Sequence, residues 1–377
     1  AGMDVEVWAA ASIAKAFDKA GLSYPSTEKG SPSFTKLFLS EHPHELPKLI
    51  VQARNLNKIQ GTFIDSILRY VSKDGRIHSH INQVRSDDGG TVSGRISANN
   101  PNLQQIPARD PELGPMIRRL FLPEEGEQWA AIDYSQQEPR ILTHYAHAFG
   151  NYRKMDMGGV EEFITEYQEN PDADFHSMVA DLSGLPRKTA KTINLALMYG
   201  MGVNKLSQQL DIPLEEAKDL TKQYHKKVPF VKQLTQGVQR YLDDPRSGGC
   251  IRSIRGRKCR FNLYEPDTFE MTKAMPYDEA VNAYGPTTKL KRAYTYKALN
   301  RLIQASAADQ TKQAMVNICE TGKIPLLQVH DELAFSVTDA EEAKGLATMM
   351  EEAVPLEVPN KCDIDLGPNW GDAKEIK

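Results

Sequence analysis

Two aspartates stand where rigid backbone would hold them. Asp133 follows directly on the apolar run Trp129-Ala130-Ala131-Ile132, which reads as a short buried strand. Asp331 sits at the turn in Gln328-Val329-His330-Asp331-Glu332, between the strand-like runs Leu326–Val329 and Leu333–Val337. A carboxylate at a strand end or hairpin tip is held firmly yet can face a cleft. Either Asp alone reads first as a turn former or strand-end cap. On neighbouring strands the two could hold a pair of Mg²⁺ ions, because Mg²⁺ takes one or two carboxylates and completes its shell with water and substrate phosphates. Two metals roughly 3.5–4 Å apart activate an attacking hydroxyl and stabilise the leaving oxygen of an in-line displacement.

A second constellation is basic. In Arg187-Lys188-Thr189-Ala190-Lys191-Thr192-Ile193-Asn194-Leu195-Ala196-Leu197-Met198-Tyr199-Gly200, the residues Arg187, Lys191, Leu195 and Tyr199 recur every four positions. They form one slowly drifting helical stripe, and Ala190, Ile193 and Leu197 form a face suited to packing. Such a stripe could hold a polyphosphate by charge and stack a base on the ring. The plainer reading is an exposed amphipathic helix with incidental basic residues. Farther on, Arg252, Arg255, Arg257, Lys258 and Arg260 fall together with no acid among them, preceded by Lys222, Lys226, Lys227 and Lys232. The net charge of −4 counts against a nucleic-acid partner. Local distribution matters more, because phosphates are neutralised by the groups beside them. Acids gather instead near the end, at Glu341, Glu342, Glu351, Glu352, Asp363 and Asp365.

The chain of 377 residues is long enough for two or three substructures. At 40% apolar and 25% charged residues it has an ordinary globular composition, which excludes a disordered, collagen-like or coiled-coil chain. No apolar stretch approaches the ~20 residues of a membrane helix, and no charged-then-apolar leader opens the chain. The four cysteines form no C-x-x-C pair and fit a reducing compartment. Helical spacing is predicted over Ser33–Leu39, over Glu45–Leu68 with Gly61 interrupting, over Gln137–Phe149 and over Lys297–Glu320. A mostly helical block is expected from about 160 to 245. A polar, Gly-rich stretch from Ser86 to Pro107 shows little periodicity, and such stretches are usually functional. The expected class is α+β, with a small sheet assembled from distant pieces of chain.

Taken jointly, these pieces resemble the polymerase region of the DNA polymerase I family, family A. "DYSQQEPR" (Asp133 to Arg140), "RKTAKTINLALMYG" (Arg187 to Gly200) and "QVHDE" (Gln328 to Glu332) resemble its three catalytic motifs, in the right order. "GRIHSHINQ" (Gly75 to Gln83), "GRISANNPNLQQIPAR" (Gly94 to Arg109) and "NRLIQASAAD" (Asn300 to Asp309) match as well. The resemblance implies a right-hand fold with thumb, palm built on an antiparallel sheet, and helical fingers. Its segments would be a partial thumb over 1–84, palm over 85–155, fingers over 156–285 and palm again over 286–377. It further implies that Asp133, Asp331 and the backbone carbonyl of Tyr134 carry two Mg²⁺ ions, for which Mn²⁺ can substitute, with Glu332 beside them. Arg187, Lys191 and His176 would grip the triphosphate of a dNTP. Leu195, Tyr199 and Gln136 would face the incoming nucleotide, and Glu138 would wall off a 2′-hydroxyl. Primer–template DNA would meet Arg95, Asn102, Gln104, Asn300, Gln304 and His330 near its growing end, and Arg54 and Lys58 through its phosphates. Arg, Asn and Gln donors suit this task, because every base pair offers minor-groove acceptors. A monomer acting in the cytoplasm, that of the host cell for a phage gene, is expected. An organellar origin stays open, and helicase and processivity partners stay unassigned.

The sequence also departs from the family pattern. Leu195 stands where bacterial enzymes usually carry Phe, Tyr296 where Arg is usual, and Gln137 and Pro139 flank Glu138 in place of aliphatic residues. A 3′–5′ exonuclease is not expected in this chain, because Asp4-Val5-Glu6 imitates an exonuclease D-x-E without room for the remaining carboxylates. Two rival readings use the same pieces. A single-subunit RNA polymerase shares the late His-Asp pair, but Glu138 would block its substrate. A silent DNA-binding module would have no need for both Asp133 and Asp331.

Overall fold

Burial along Gln128–Tyr134 (β1) alternates at its end: Ile132 and Tyr134 are buried while Asp133 between them is exposed. Such period-2 alternation fits a strand with one face on a core and one open. The computed structural model describes residues 2–27, 29–85, 89–108, 110, 113–268 and 272–376. Within it β1 is the centre of a five-stranded sheet, with Leu327–Val329 (β2), Glu332–Val337 (β3), Cys362–Gly367 (β4) and Lys374–Ile376 (β5) in the order β5–β4–β1–β3–β2. Every pairing in it is antiparallel. One face carries Ala130, Ile132, Leu333, Phe335, Cys362 and Ile364 into a core completed by Ala314 and Ile318 of Ala298–Glu320 (α4) and Leu346, Ala347 and Met350 of Ala340–Glu351 (α5). The opposite face carries the acids.

The chain divides into two units, residues 1–80 with 99–118, and residues 81–98 with 119–377. The sheet lies in the second. That unit also holds Gln137–Arg153 (α1), Phe175–Ser183 (α2) and Arg187–Met198 (α3), whose Ile141, Phe175 and Ile193 share one large apolar cluster with Leu302 of α4. The helical block expected from 160 to 245 is present, from Val160 through Asp243. The first unit is built on helices, with Ile13, Phe17, Phe34, Leu39 and Ile50 at its core. Its predicted helix over Ser33–Leu39 runs over Lys36–Glu41, because the Thr35 side chain accepts from Phe38 N and caps it there. The predicted interruption at Gly61 takes the form of a single π turn, Gln60–Ile64, between the α-helices Glu45–Ile59 and Asp65–Tyr70. Among the described residues, no helix is long and apolar enough to cross a membrane. Part of the Ser86–Pro107 stretch, and Arg109 at the end of its motif, lie outside the described residues.

Candidate active site

Residues directly opposite in antiparallel strands point to the same side of the sheet. Glu332 and Asp363 both lie opposite Asp133, so three strands place three carboxylates on one face. Asp331 sits beside them in the turn between β2 and β3. That turn places His330 in the left-handed region, φ 59°, and Gln328 Nε2 braces it by donating to His330 O at 2.6 Å. A side chain held at positive φ is a conformation the surroundings must enforce, and such residues cluster at functional sites. Although Asp133 opens to solvent, the recess and the charges of Asp331, Glu332, Asp363 and Asp365 push its carboxyl up to about 8. Burial raises the Asp331 pKa too, opposed by its own backbone hydrogen bond and by Arg95 and His330. Hard oxygen donors in excess, with little protein cation among them, suit a divalent ion such as Mg²⁺. Among the described residues no three His, Cys, Asp or Glu side chains are already gathered into a closed metal cage. Mg²⁺ shared with phosphate and water does not require one. Tyr134 turns its ring into the core, where its hydroxyl donates to Met350 O at 2.5 Å, so only its main chain is available to the cleft.

The next shell of geometry ties the helices to this face. Glu138, in the first turn of α1, accepts from Arg95 Nη2 at 2.5 Å through Oε1 and from the Tyr199 hydroxyl at 2.7 Å through Oε2. Glu138 is 12% exposed and Arg95 31% exposed, so this ion pair is partly shielded. Burial and the Glu138 carboxylate raise the Tyr199 pKa. Tyr199 follows the last turn of α3, so the network joins the end of that helix to the start of α1, four residues past Asp133.

Helix α3 presents the stripe expected from the sequence. Arg187, Lys191 and Tyr199 are exposed and Leu195 half-buried, while Ala190 and Ile193 are fully buried and Leu197 packs on the core. Arg187 Nε donates to Asp174 Oδ2 at 2.7 Å and to Ser177 Oγ at 3.2 Å, which anchors it to the capped start of α2. The Lys191 side chain makes no hydrogen bond or ion pair with a described residue. His176 is buried beside it, and Asn194 Nδ2 donates to His176 Nδ1 at 2.9 Å. With Nδ1 accepting, Nε2 carries the proton and remains a donor. Burial lowers the His176 pKa, Asp174 opposes this, and Lys191 and Arg187 lower it further.

Several expected site residues have internal tasks. Gln136, expected to face the nucleotide, uses its amide inside the fold: Nε2 donates to Ala173 O at 2.8 Å and Oε1 accepts from Phe175 N at 2.6 Å. It therefore positions α2 and His176 and is not set to touch a ligand. Arg54 donates to Val7 O at 2.6 Å and Phe34 O at 3.1 Å beneath Trp8, so it holds the first unit together and is not presented as a phosphate contact. Lys58 on the same helix is exposed. Asn102 caps the turn Leu103–Gln105 by accepting from Gln104 N at 3.1 Å. In the second unit Asn300 and Gln304 stand one turn apart on α4, half-buried, and His330 is exposed. Gln137 donates to Ala307 O and Thr311 Oγ1, each at 3.2 Å, which explains an amide where aliphatic residues are usual.

Two contributors went unassigned in the sequence. Asp363 lies among the terminal acids in the sequence, yet its register puts it opposite Asp133. The signal was the alternation Cys362-Asp363-Ile364-Asp365-Leu366. Arg140 closes the first motif and is 1% exposed, and its guanidinium donates to Ser135 O, Pro359 O and Pro171 O at 2.9, 2.6 and 2.5 Å over the Tyr167 ring.

A family model described as DNA polymerase family A matches residues 13–372. The chain is 35% identical over 413 residues to a DNA-directed DNA polymerase of Pseudomonas phage M6, covering 97% of this chain and 57% of that protein. It is 34% identical over 381 residues to the thermostable DNA polymerase I of Thermus aquaticus, covering 95% of this chain and 41% of that one. The chain thus spans about half the length of the curated relatives it matches. Among solved structures it is similar to the polymerase domain of Pol1 from M. smegmatis in complex with DNA primer–template and dNTP. That similarity has a TM-score of 0.72 and 29% identity, over 99% of this chain and 62% of that one.

Proposed function

This chain belongs to DNA polymerase family A, and from that membership and the geometry of the cleft we propose that it extends a primer 3′-hydroxyl with dNTPs directed by a DNA template. The observation that carries the reading is the sheet face where Asp133, Glu332 and Asp363 lie side by side, with Arg95, Glu138 and Tyr199 linking it to the stripe of α3. In the proposed reaction the primer 3′-oxygen attacks the α-phosphate of the dNTP, forming the new phosphodiester as the bond to pyrophosphate breaks. Phosphoryl transfer of this kind is driven by positioning and charge stabilisation. Asp133 and Asp331, with the Tyr134 carbonyl, would hold two Mg²⁺ ions, or Mn²⁺ in their place, which lower the charge on the reacting oxygens. Arg187 and Lys191 bind the triphosphate, and His176, its Nδ1 bonded to Asn194, donates Nε2–H to it. Glu138 fills the space of a 2′-hydroxyl. Leu195 and Tyr199 meet the sugar and base of the incoming nucleotide. In the second unit Arg95, Asn300, Gln304 and His330 test pair shape from the minor groove without reading sequence. Lys58 positions a phosphate.

Primer extension in Mg²⁺ with dNTPs and, separately, with NTPs tests the reading. Extension by dNTPs alone is expected, and Asp133→Ala or Asp331→Ala should abolish it while primer–template affinity stays nearly intact. Preference for NTPs would favour an RNA polymerase, and binding without extension a silent module. The reading also includes no proofreading by this chain. A mismatched primer incubated with Mg²⁺ and no dNTPs should keep its length, and stepwise shortening that vanishes on mutating Asp4 and Glu6 would overturn that part.

A further inference from the structure

The Arg187 side chain is 56% exposed, and it opens α3, where the positive end of the helix dipole disfavours a cation. A long side chain so placed wanders unless something holds it. Asp174 supplies the hold. Its Oδ2 accepts from Arg187 Nε at 2.7 Å, and the same oxygen accepts from Ser177 N at 2.9 Å and from Ser177 Oγ at 2.7 Å. Ser177 Oγ in turn accepts a longer bond from Arg187 Nε, at 3.2 Å. Only Nε is engaged. Nη1 and Nη2 make no hydrogen bond with a described residue, so the fork that can take two phosphate oxygens at once stays open.

Asp174 is itself fixed from the strand that carries Asp133. Gln136 follows the end of β1 and precedes α1, with φ 53°, a left-handed conformation that its surroundings must enforce. Its Nε2 donates to Ala173 O at 2.8 Å and its Oε1 accepts from Phe175 N at 2.6 Å, so one amide grips the main chain on both sides of Asp174. Arg140 holds the same segment one step earlier, donating to Pro171 O at 2.5 Å. A short covalent path from Asp133 to Gln136, and a hydrogen-bonded path from there through Asp174, thus join the acidic sheet face to Arg187. A carboxylate beside a triphosphate is otherwise out of place, because its charge repels the phosphates.

We propose that Asp174 is a positioning residue for the incoming nucleotide: it holds Arg187 by Nε with both terminal nitrogens open to the triphosphate, at a place set relative to Asp133 by Gln136. The proposal rests on the polymerase reading, and its test separates the two.

Asp174→Ser separates this role from that of a helix cap, because serine is a favoured N-cap for α2 yet too short to reach Arg187. The templated dNTP is titrated calorimetrically, in Mg²⁺, into the protein bound to a primer–template ending in a dideoxynucleotide. Melting and single-nucleotide kinetics are read beside it. Asp174→Ser should weaken dNTP binding about fivefold, the size expected when a rotamer-rich side chain must be ordered on binding. KM should rise with it, while kcat stays within about twofold and Tm within about 2 °C. Asp174→Asn keeps the cap and an acceptor oxygen at the same reach, so it should remain within about twofold of wild type. In an Arg187→Ala background Asp174→Ser should weaken binding no further, because only the repulsion between carboxylate and phosphates is left to remove. The sign decides. If Asp174 only caps α2, or only repels, its loss leaves dNTP affinity unchanged or improved, and either result overturns the proposal. So does a fivefold loss that persists without Arg187. A wild type that binds dNTP, weakens as expected in Asp174→Ser and yet extends no primer would leave the role of Asp174 standing and overturn the polymerase reading instead.

Discussion

Replacing Tyr199 by phenylalanine deletes one oxygen and one hydrogen bond, from the Tyr199 hydroxyl to Glu138 Oε2 at 2.7 Å. The ring, its packing and the helix are retained. Among the described residues Glu138 then keeps only its Arg95 contact, at 2.5 Å. If Glu138 is the wall against a 2′-hydroxyl, its power to exclude depends on how firmly it is held over that space. A hydrogen bond to a charged group contributes about 1.5–3 kcal/mol. Tyr199 is 38% exposed, and water competes for the carboxylate, so about 1 kcal/mol is the appropriate figure here. At 1.36 kcal/mol per tenfold, the ratio of kcat/KM for ribonucleotide over deoxynucleotide should rise about 5-fold in Tyr199→Phe. Glu138→Ala removes the wall itself and should raise the ratio further.

The double variant gives the decisive comparison. If the hydroxyl acts only through Glu138, Tyr199→Phe should add nothing to the discrimination ratio in the Glu138→Ala background. Coupled neighbours fail to add in this way. Single-nucleotide kinetics on one primer–template supply all four ratios, and a general packing defect cancels from each. An effect of Tyr199→Phe that persists at full size without Glu138, or a ratio unchanged by Tyr199→Phe alone, would refute the argument that this hydrogen bond holds the gate.

Other consequences follow from the same geometry. In EDTA, Asp133→Asn should stabilise the protein near neutral pH: the folded pKa of Asp133, about 8, lies above its unfolded value of about 3.9, so stability present below about pH 4 is lost as pH rises towards 8. With solvent screening discounted this is about 1–2 kcal/mol, or roughly 2–6 °C in Tm, and a variant that melts lower than wild type at pH 8 would contradict it. Arg140→Ala should lower Tm by roughly 5–10 °C, because removing a buried guanidinium from three carbonyls costs about 3–5 kcal/mol; a loss under 2 °C would show the cluster to be dispensable. Leu195→Tyr should relax discrimination against dideoxynucleotides without admitting ribonucleotides, read as a dNTP/ddNTP ratio, and an unchanged ratio would disconnect position 195 from the sugar.

Much of this arrangement is legible in the sequence because it follows local periodicity. Asp133 after an apolar run and Asp331 between two short runs place themselves, and the four-residue recurrence from Arg187 to Tyr199 appears in the structure as an exposed stripe. The parts that escaped depend on partners distant in the chain. Nothing near Gln136 announces that its amide binds Ala173 and Phe175, or near Arg54 that Val7 and Phe34 await its guanidinium. Arg140 was hidden for the same reason, since its acceptors come from three separate segments. Asp363 is intermediate: alternation marks its strand, but only the register of β4 on β1 turns a terminal acid into a neighbour of Asp133.

How charges are matched in the second unit separates scaffold from site. Where an ionic group serves the scaffold, the fold completes it: Arg140 has three carbonyls and Arg257 has Asp309. At the cleft the pairing stops. Asp133 and Asp331 have no ion pair with Arg187 or Lys191 among the described residues, although both signs belong to the same unit, and Arg95 gives its closest contact to Glu138. A carboxylate whose pKa is raised by burial and by neighbouring acids is poor glue. Stability alone would replace one of them or supply it with a lysine. The separation makes sense for an object that brings both missing partners at once, cations for the sheet face and a polyanion for the helix. A metal-bound nucleoside triphosphate is such an object. Its binding would relieve both imbalances together, so metal and nucleotide should each tighten the other's binding, and by linkage to the same degree. Titration of Ca²⁺ with and without dNTP, using a primer lacking its 3′-hydroxyl, would measure that coupling. Independent binding of the two would mean that the charge separation has some other cause.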